Sequence, residues 1–161
     1  MDDEVRQAAT RVLDACRARK LTVATAESCT GGLVAGALTE IAGSSDVVDR
    51  GFVTYSNAAK QAMLGVPAPI LERHGAVSRA TAEAMARGAI TQSGADLAVA
   101  ITGIAGPDGG TTDKPVGLVY LAAGRASEGM RHERCSFGNV GRAGIRRLSV
   151  ERALSLLFSL L

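Results

Sequence analysis

Tryptophan is absent from this 161-residue sequence, and aromatic residues make up only 3% of it. A chain so poor in rings offers little on which nucleic-acid bases could stack. Its net charge of +2 is also too small to hold a polyanion by charge alone. Binding of nucleic acid is therefore not expected. Histidine and cysteine are scarce too. His74 and His132 stand far apart, as do Cys16, Cys29 and Cys135. Neither set has metal-ligand spacing, and an odd number of distant cysteines is no disulfide framework. No metal site is expected, and the free thiols fit a reducing cytoplasm. No apolar run is long enough to span a bilayer, and the acidic N-terminus carries no signal-peptide pattern. The expectation is a cytoplasmic protein with no membrane partner.

What is present is ordinary globular material, with 47% hydrophobic and 21% charged residues, together with 19 glycines. Such a length fits one domain, residues 1–161, able to bury a core unaided. With few aromatics, that core must be built from Val, Leu, Ile and Ala. The spacing of Val5, Ala8, Ala9, Val12 and Cys16 predicts an amphipathic helix over Asp3 to Arg19. Strands are expected at Leu21 to Ala26, Gly51 to Tyr55, Asp96 to Ile101, Val116 to Ala123 and Gly129 to Phe137. Helices are expected at Gly32 to Ile41, Asn57 to Leu64, Ser78 to Ser93 and Gly141 to Leu161. Pro67, Pro69 and Gly75 punctuate a connector with its own short helical piece. Helix and strand alternate early and two strands adjoin late. That order predicts a single-domain, three-layer α/β/α sandwich with a mixed sheet.

Three polar islands follow expected strands: Glu27-Ser28-Cys29-Thr30, Tyr55-Ser56-Asn57 with Lys60, and Thr102 to Pro107. If those strands lie parallel and adjacent, the islands meet at one sheet edge, where open α/β sheets bind ligands. A serine needs a base to become a nucleophile. With two scattered histidines, the base expected for Ser28 is Lys60, since a desolvated lysine loses basicity. Tyr55 could relay or orient a proton, and Ser45 could steady the lysine or tyrosine. Cys29 is a rival nucleophile if a helix N-terminus lowers its pKa. Glu27 could orient Lys60 or favour the start of the next helix. Thr30, Gly31, Gly32, Asn57, Gly103 and Gly106 are candidate substrate contacts, the glycines through backbone approach or an oxyanion cradle. Arg142 is a candidate clamp on phosphate or carboxylate. Each residue also has a plainer reading: a helix cap for Ser28 or Thr30, a solvated lysine, sheet packing for Tyr55, a turn for Ser45, a surface arginine.

Taken together, the segments Thr25 to Gly32, Gly51 to Asn57 with Lys60, Leu64-Gly65-Val66, His74 to Ser78, Thr102 to Gly110 and Lys114 to Gly117 resemble the C-terminal domain of the competence/damage-inducible protein CinA. The likeness runs from about Val5 to the end. Stand-alone members of that family convert nicotinamide mononucleotide to nicotinate mononucleotide and ammonia, without metal or other cofactor, in pyridine-nucleotide salvage. The resemblance implies Ser28 as nucleophile and Lys60 as base. It implies Ser45 (or its neighbour Ser44) and Tyr55 as supports, and Thr102 and Arg142 as substrate contacts. The implied partner is a small-molecule nucleotide, and the composition permits a homo-oligomer. A different class of function keeps the pocket without the chemistry: a nucleotide-binding module serving regulation.

Overall fold

The computed structural model describes residues 1–161. Its centre is a five-stranded sheet in the order β2-β1-β3-β4-β5. The strands are β1 (Val23–Glu27), β2 (Val48–Val53), β3 (Leu97–Gly103), β4 (Leu118–Arg125) and β5 (Met130–Ser136). β2, β1 and β3 run parallel, while β3, β4 and β5 are joined antiparallel. The sheet is mixed, as expected.

Two helical layers cover it. Helices α1 (Asp3–Arg19), α2 (Leu33–Thr39) and α6 (Arg142–Phe158) bury the face carrying Leu97, Val99, Ile101, Val119 and Leu121. The layer of α3 (Asn57–Leu64), α4 (Ala68–His74) and α5 (Arg79–Ser93) covers the other face, lined by Ala24, Ala26, Ala98, Ala100 and Ala122. Alternation along β3 therefore sorts branched side chains to one side and alanines to the other. The alanine face lets α5 lie close on the sheet. Gly88 of α5 must be glycine for a related reason: a methyl there would collide with the Leu64 carbonyl of α3.

Local chemistry sets the ends. Asp2 caps α1 by accepting from the Val5 amide at 2.9 Å, Ser56 caps α3 and Ser78 caps α5. The second strand differs from expectation. It starts three residues earlier and stops at Val53, leaving Tyr55 beyond the sheet and 61% exposed. Sheet packing is therefore not the role of Tyr55. β4 is displaced the other way, running two residues later than expected, from Leu118 to Arg125. No helix is long and apolar enough to cross a membrane, and no three His, Cys, Asp or Glu side chains cluster as metal ligands.

Candidate active site

Because β2, β1 and β3 are parallel neighbours, the segments following them emerge at one edge. Ser28 follows β1 directly, Thr54 and Tyr55 follow β2, and Thr102 and Gly103 end β3. They surround a cavity of about 270 Å³, to which Ser28, Cys29, Tyr55, Lys60, Thr102, Gly106, Asp108 and Arg142 all contribute.

Lys60 sits one turn into α3 and is the largest fully buried side chain, with 1% exposure. Its Nζ stands 3.0 Å from Ser28 Oγ and donates to the Thr54 carbonyl at 2.8 Å. No carboxylate pairs with it, and burial pushes its pKa below the ordinary lysine value. An amine placed this way can exist neutral and take a proton. As an ammonium, Nζ donates to both oxygens. As a neutral amine it keeps an N–H on Thr54 and presents a lone pair to the Ser28 hydroxyl.

Glu27, adjacent to Ser28, is fully buried. It does not reach Lys60. Its carboxylate accepts from the amides of Gly32 and Val34 at 3.1 Å, from Ala35 at 2.9 Å, and from the Thr25 hydroxyl at 3.2 Å. Of its two expected roles it takes the second, satisfying the orphan donors at the start of α2. Gly32, the residue before α2, has φ 101° and supplies no cap of its own. Neither Ser28 nor Thr30 caps that helix.

The turn between β1 and α2 is also closed internally, with the Gly31 amide donating to the Ser28 carbonyl at 3.0 Å. Ser28 N donates to Ile101 O at 3.0 Å and Leu33 N to Thr30 O at 3.2 Å. From Ser28 to Gly36, only the amides of Cys29 and Thr30 have no acceptor in the protein. The expected Gly31 donor is thus already engaged. Buried amides are nearly always paired, so two free ones beside a serine hydroxyl are notable chemistry. The Thr30 hydroxyl is likewise buried without a partner, as is that of Thr54.

Cys29 is 5% exposed and its thiol is pushed up to about 11, chiefly by burial. A helix N-terminus does not overcome that desolvation. The rival thiolate is therefore absent near neutral pH.

Arg142, the first residue of α6, is drawn into the site. Its Nη1 donates to the Gly106 carbonyl at 2.7 Å and its Nη2 to the Tyr55 hydroxyl at 3.0 Å. Tyr55 is thus tied to Arg142 at the rim and bonds neither Ser28 nor Lys60. Thr102 donates to the Ala76 carbonyl at 2.7 Å, fastening the segment that carries Ala76 and Val77 along the cavity wall.

Other candidates lie elsewhere. Ser45 belongs to a 3₁₀ turn at Ser44–Asp46 that precedes β2. Since β2 runs parallel to β1, whatever precedes it lies at the opposite sheet edge from Ser28. Ser45 is exposed there and Ser44 is buried in the same turn, so neither supports Lys60 or Tyr55 within the chain. Asn57 opens α3 as an exposed residue outside the cavity lining. Gly31 and Gly32 also lie off that lining and serve the turn through positive φ, 60° and 101°. Arg146 was one basic residue among many in the sequence. It reaches the back of the Ser28 turn, where its Nε donates to Cys29 O and its Nη2 to Thr30 O, both at 3.1 Å. Bonds to main-chain carbonyls leave no pattern in a sequence.

Residues 5–161 match the family model described as the CinA C-terminal domain. Over 158 residues the chain is 49% identical to the nicotinamide-nucleotide amidohydrolase PncC of Escherichia coli K12, spanning 98% of this chain and 94% of that protein. A CinA-like protein of Geobacter sulfurreducens is 60% identical over 106 residues, which are 66% of this chain but only 25% of that longer protein. The crystal structure of the competence/damage inducible protein CihA of Agrobacterium tumefaciens superposes with a TM-score of 0.97 at 52% identity, covering 99% of this chain and 96% of that one.

Proposed function

The chain belongs to the CinA C-terminal domain family, and we propose that it is an amidohydrolase that converts nicotinamide mononucleotide to nicotinate mononucleotide and ammonia. The likeness to the E. coli amidohydrolase over nearly both full lengths supports that substrate. The observation that carries the chemistry is the buried Lys60 amine 3.0 Å from the Ser28 hydroxyl.

The reaction balances through that pair. Neutral Lys60 takes the Ser28 proton as Oγ bonds to the carboxamide carbon, and the carbonyl π pair moves onto oxygen. The free amides of Cys29 and Thr30 stabilise that oxyanion. Its collapse breaks the C–N bond, and the Lys60 ammonium gives its proton to the departing nitrogen, releasing ammonia. Water then attacks the acyl-Ser28 ester, passing one proton to Lys60. Lys60 returns it to Ser28 Oγ as the ester bond breaks, and nicotinate mononucleotide leaves as its carboxylate, the second proton of the water passing to the released ammonia as ammonium. The cationic pyridinium of the substrate withdraws electrons from the amide and eases the first attack. Arg142 and Tyr55 sit at the cavity rim, where a guanidinium suits the phosphate. Tyr55 is better placed to orient Arg142 than to relay a proton.

Incubating the purified protein with nicotinamide mononucleotide tests the reading. Ammonia and nicotinate mononucleotide should appear in equal amounts, with nicotinamide and nicotinamide riboside converted far less well. Tight nucleotide binding by folded protein with no product would instead support a non-catalytic nucleotide-binding module.

A further inference from the structure

Arg142 and Arg146 are four residues apart on α6 and so share one helix face, yet they reach different sides of the same turn. Arg142 faces the catalytic cavity. Arg146 lies in a separate groove of about 460 Å³ between the start of α1, α2 and α6, with Val5, Leu33, Ala37 and Val150 in its walls. From there it grips the carbonyls of Cys29 and Thr30, both at 3.1 Å. Its guanidinium is committed to main chain, not to a carboxylate.

Those two carbonyls belong to the central residues of the turn that Gly31 N closes on Ser28 O. The middle peptide of such a turn is its one free plane. Rotated one way it gives a type I turn, the other way type II, which needs positive φ at the third residue. Lys20 is the only non-glycine with positive φ, so the turn is of the type I kind. In that form the third residue's amide lies on the side of the first residue's side chain, the arrangement by which serine hydroxyls meet the backbone two residues on. Here those groups are the Thr30 N–H and the Ser28 hydroxyl. A trans peptide points its C=O and N–H in opposite directions. A grip on the Cys29 carbonyl from the groove therefore fixes the Thr30 N–H toward Ser28.

Resting on the amidohydrolase reading above, we propose that Arg146 is a positioning residue of the oxyanion site. It holds the Cys29–Thr30 peptide from behind, so that the Thr30 amide faces the carbonyl oxygen undergoing attack, beside the Cys29 amide whose peptide the Gly31–Ser28 bond fixes. Glu27 completes the hold by fixing the α2 end of the turn through three amides. A swung peptide would present a carbonyl dipole to the developing negative charge and oppose the reaction. The bonds are made to the enzyme and not to substrate, so their loss acts on the transition state and leaves ground-state binding largely untouched.

The test compares native protein with Arg146→Ala and Arg146→Lys. Arg146→Ala should lower kcat for nicotinamide mononucleotide by about 10²-fold, the scale of a lost oxyanion donor, with KM within about threefold. Arg146→Lys, able to hold one carbonyl but not both, should recover part of kcat. Thermal denaturation checks that both variants fold. The second readout is the rate at which a fluorophosphonate labels Ser28, which does not depend on the nucleotide substrate. That rate should fall in parallel with kcat. If native protein is labelled at Ser28 but does not turn over the nucleotide, the substrate reading fails, and the labelling ratio still decides the role of Arg146. A folded Arg146→Ala with native kcat or native labelling rate, or one in which only KM rises, overturns the proposal. So does native protein in which Ser28 is not labelled.

Discussion

Lys60 Nζ lies 3.0 Å from Ser28 Oγ across 32 residues of sequence, and the amine is buried with no carboxylate beside it. A protein that needed Lys60 only for packing would do better with methionine or leucine. Burying an amine that must shed its proton disfavours the charged form and stabilises nothing by itself. Its position is explained by what a neutral amine can do to a neighbouring hydroxyl.

Replacing the lysine should therefore separate stability from function. Lys60→Met is expected to abolish turnover while raising the thermal midpoint at neutral pH by a few degrees, ~1 kcal/mol being worth ~2–4 °C at this chain length. Calorimetry beside an ammonia assay checks both halves. A less stable Lys60→Met would show that the amine contributes net stability where it sits.

The pH dependence has a definite sign. The folded-state pKa of Lys60 is lowered from 10.5, so between the lowered value and 10.5 the unfolded chain binds more protons than the folded one. Stability from this group thus increases as pH rises through that window. Activity should rise in the same direction, as the neutral amine becomes populated, with kcat/KM levelling off above the lowered pKa. A rate that falls with increasing pH across the neutral range would contradict Lys60 as the base.

How far the sequence could have led is clear from particular residues. Ser28, Lys60 and Thr102 each lie in a polar island after an apolar run, and three parallel neighbouring strands bring those islands together; Arg142 joins them from the start of the last helix, a less distinctive segment. The resemblance implies Ser45 as a support for the site, but a residue before a parallel strand lies at the opposite edge from one after it. The apolar run Gly51 to Tyr55 predicts a strand that includes Tyr55, but the strand ends at Val53. Glu27 and Arg146 act on main-chain amides and carbonyls, which every residue possesses. The position of Glu27 just before a helix makes its cap-like role one of two expectations, whereas no spacing rule pairs Arg146 with the Ser28 turn.

Cys29 follows the nucleophile candidate and holds a thiol whose pKa burial raises to about 11. Cys29→Ala should keep native activity within about threefold, because the substitution removes only a neutral buried thiol and leaves the main-chain amide in place. Iodoacetamide should label it slowly in the folded protein. Loss of activity in a folded Cys29→Ala would make the thiol a participant.

Arg142 and Tyr55 are joined by a 3.0 Å bond and should behave as a unit. Arg142→Ala is expected to raise KM for the nucleotide by roughly tenfold or more, as loss of a charge-assisted phosphate contact would, with a smaller effect on kcat. Tyr55→Phe should raise KM less, and the double variant should be less than additive. Full additivity in steady-state kinetics would show that the two act separately.

Glu27 is a structural carboxylate with three main-chain donors. Glu27→Gln turns an NH₂ group toward those donors and should cost ~2–4 kcal/mol of stability, given the penalty for unsatisfied buried groups. Urea denaturation reads that loss, and an unchanged midpoint would deny Glu27 its place at the head of α2.

The most direct measurement is ammonia release from nicotinamide mononucleotide by native protein and Ser28→Ala side by side, with nucleotide affinity of both by calorimetry. Turnover in the native protein, reduced at least ~10³-fold in Ser28→Ala with affinity kept within a few-fold, is the predicted result. A Ser28→Ala variant that still releases ammonia at a comparable rate would contradict the account at its centre.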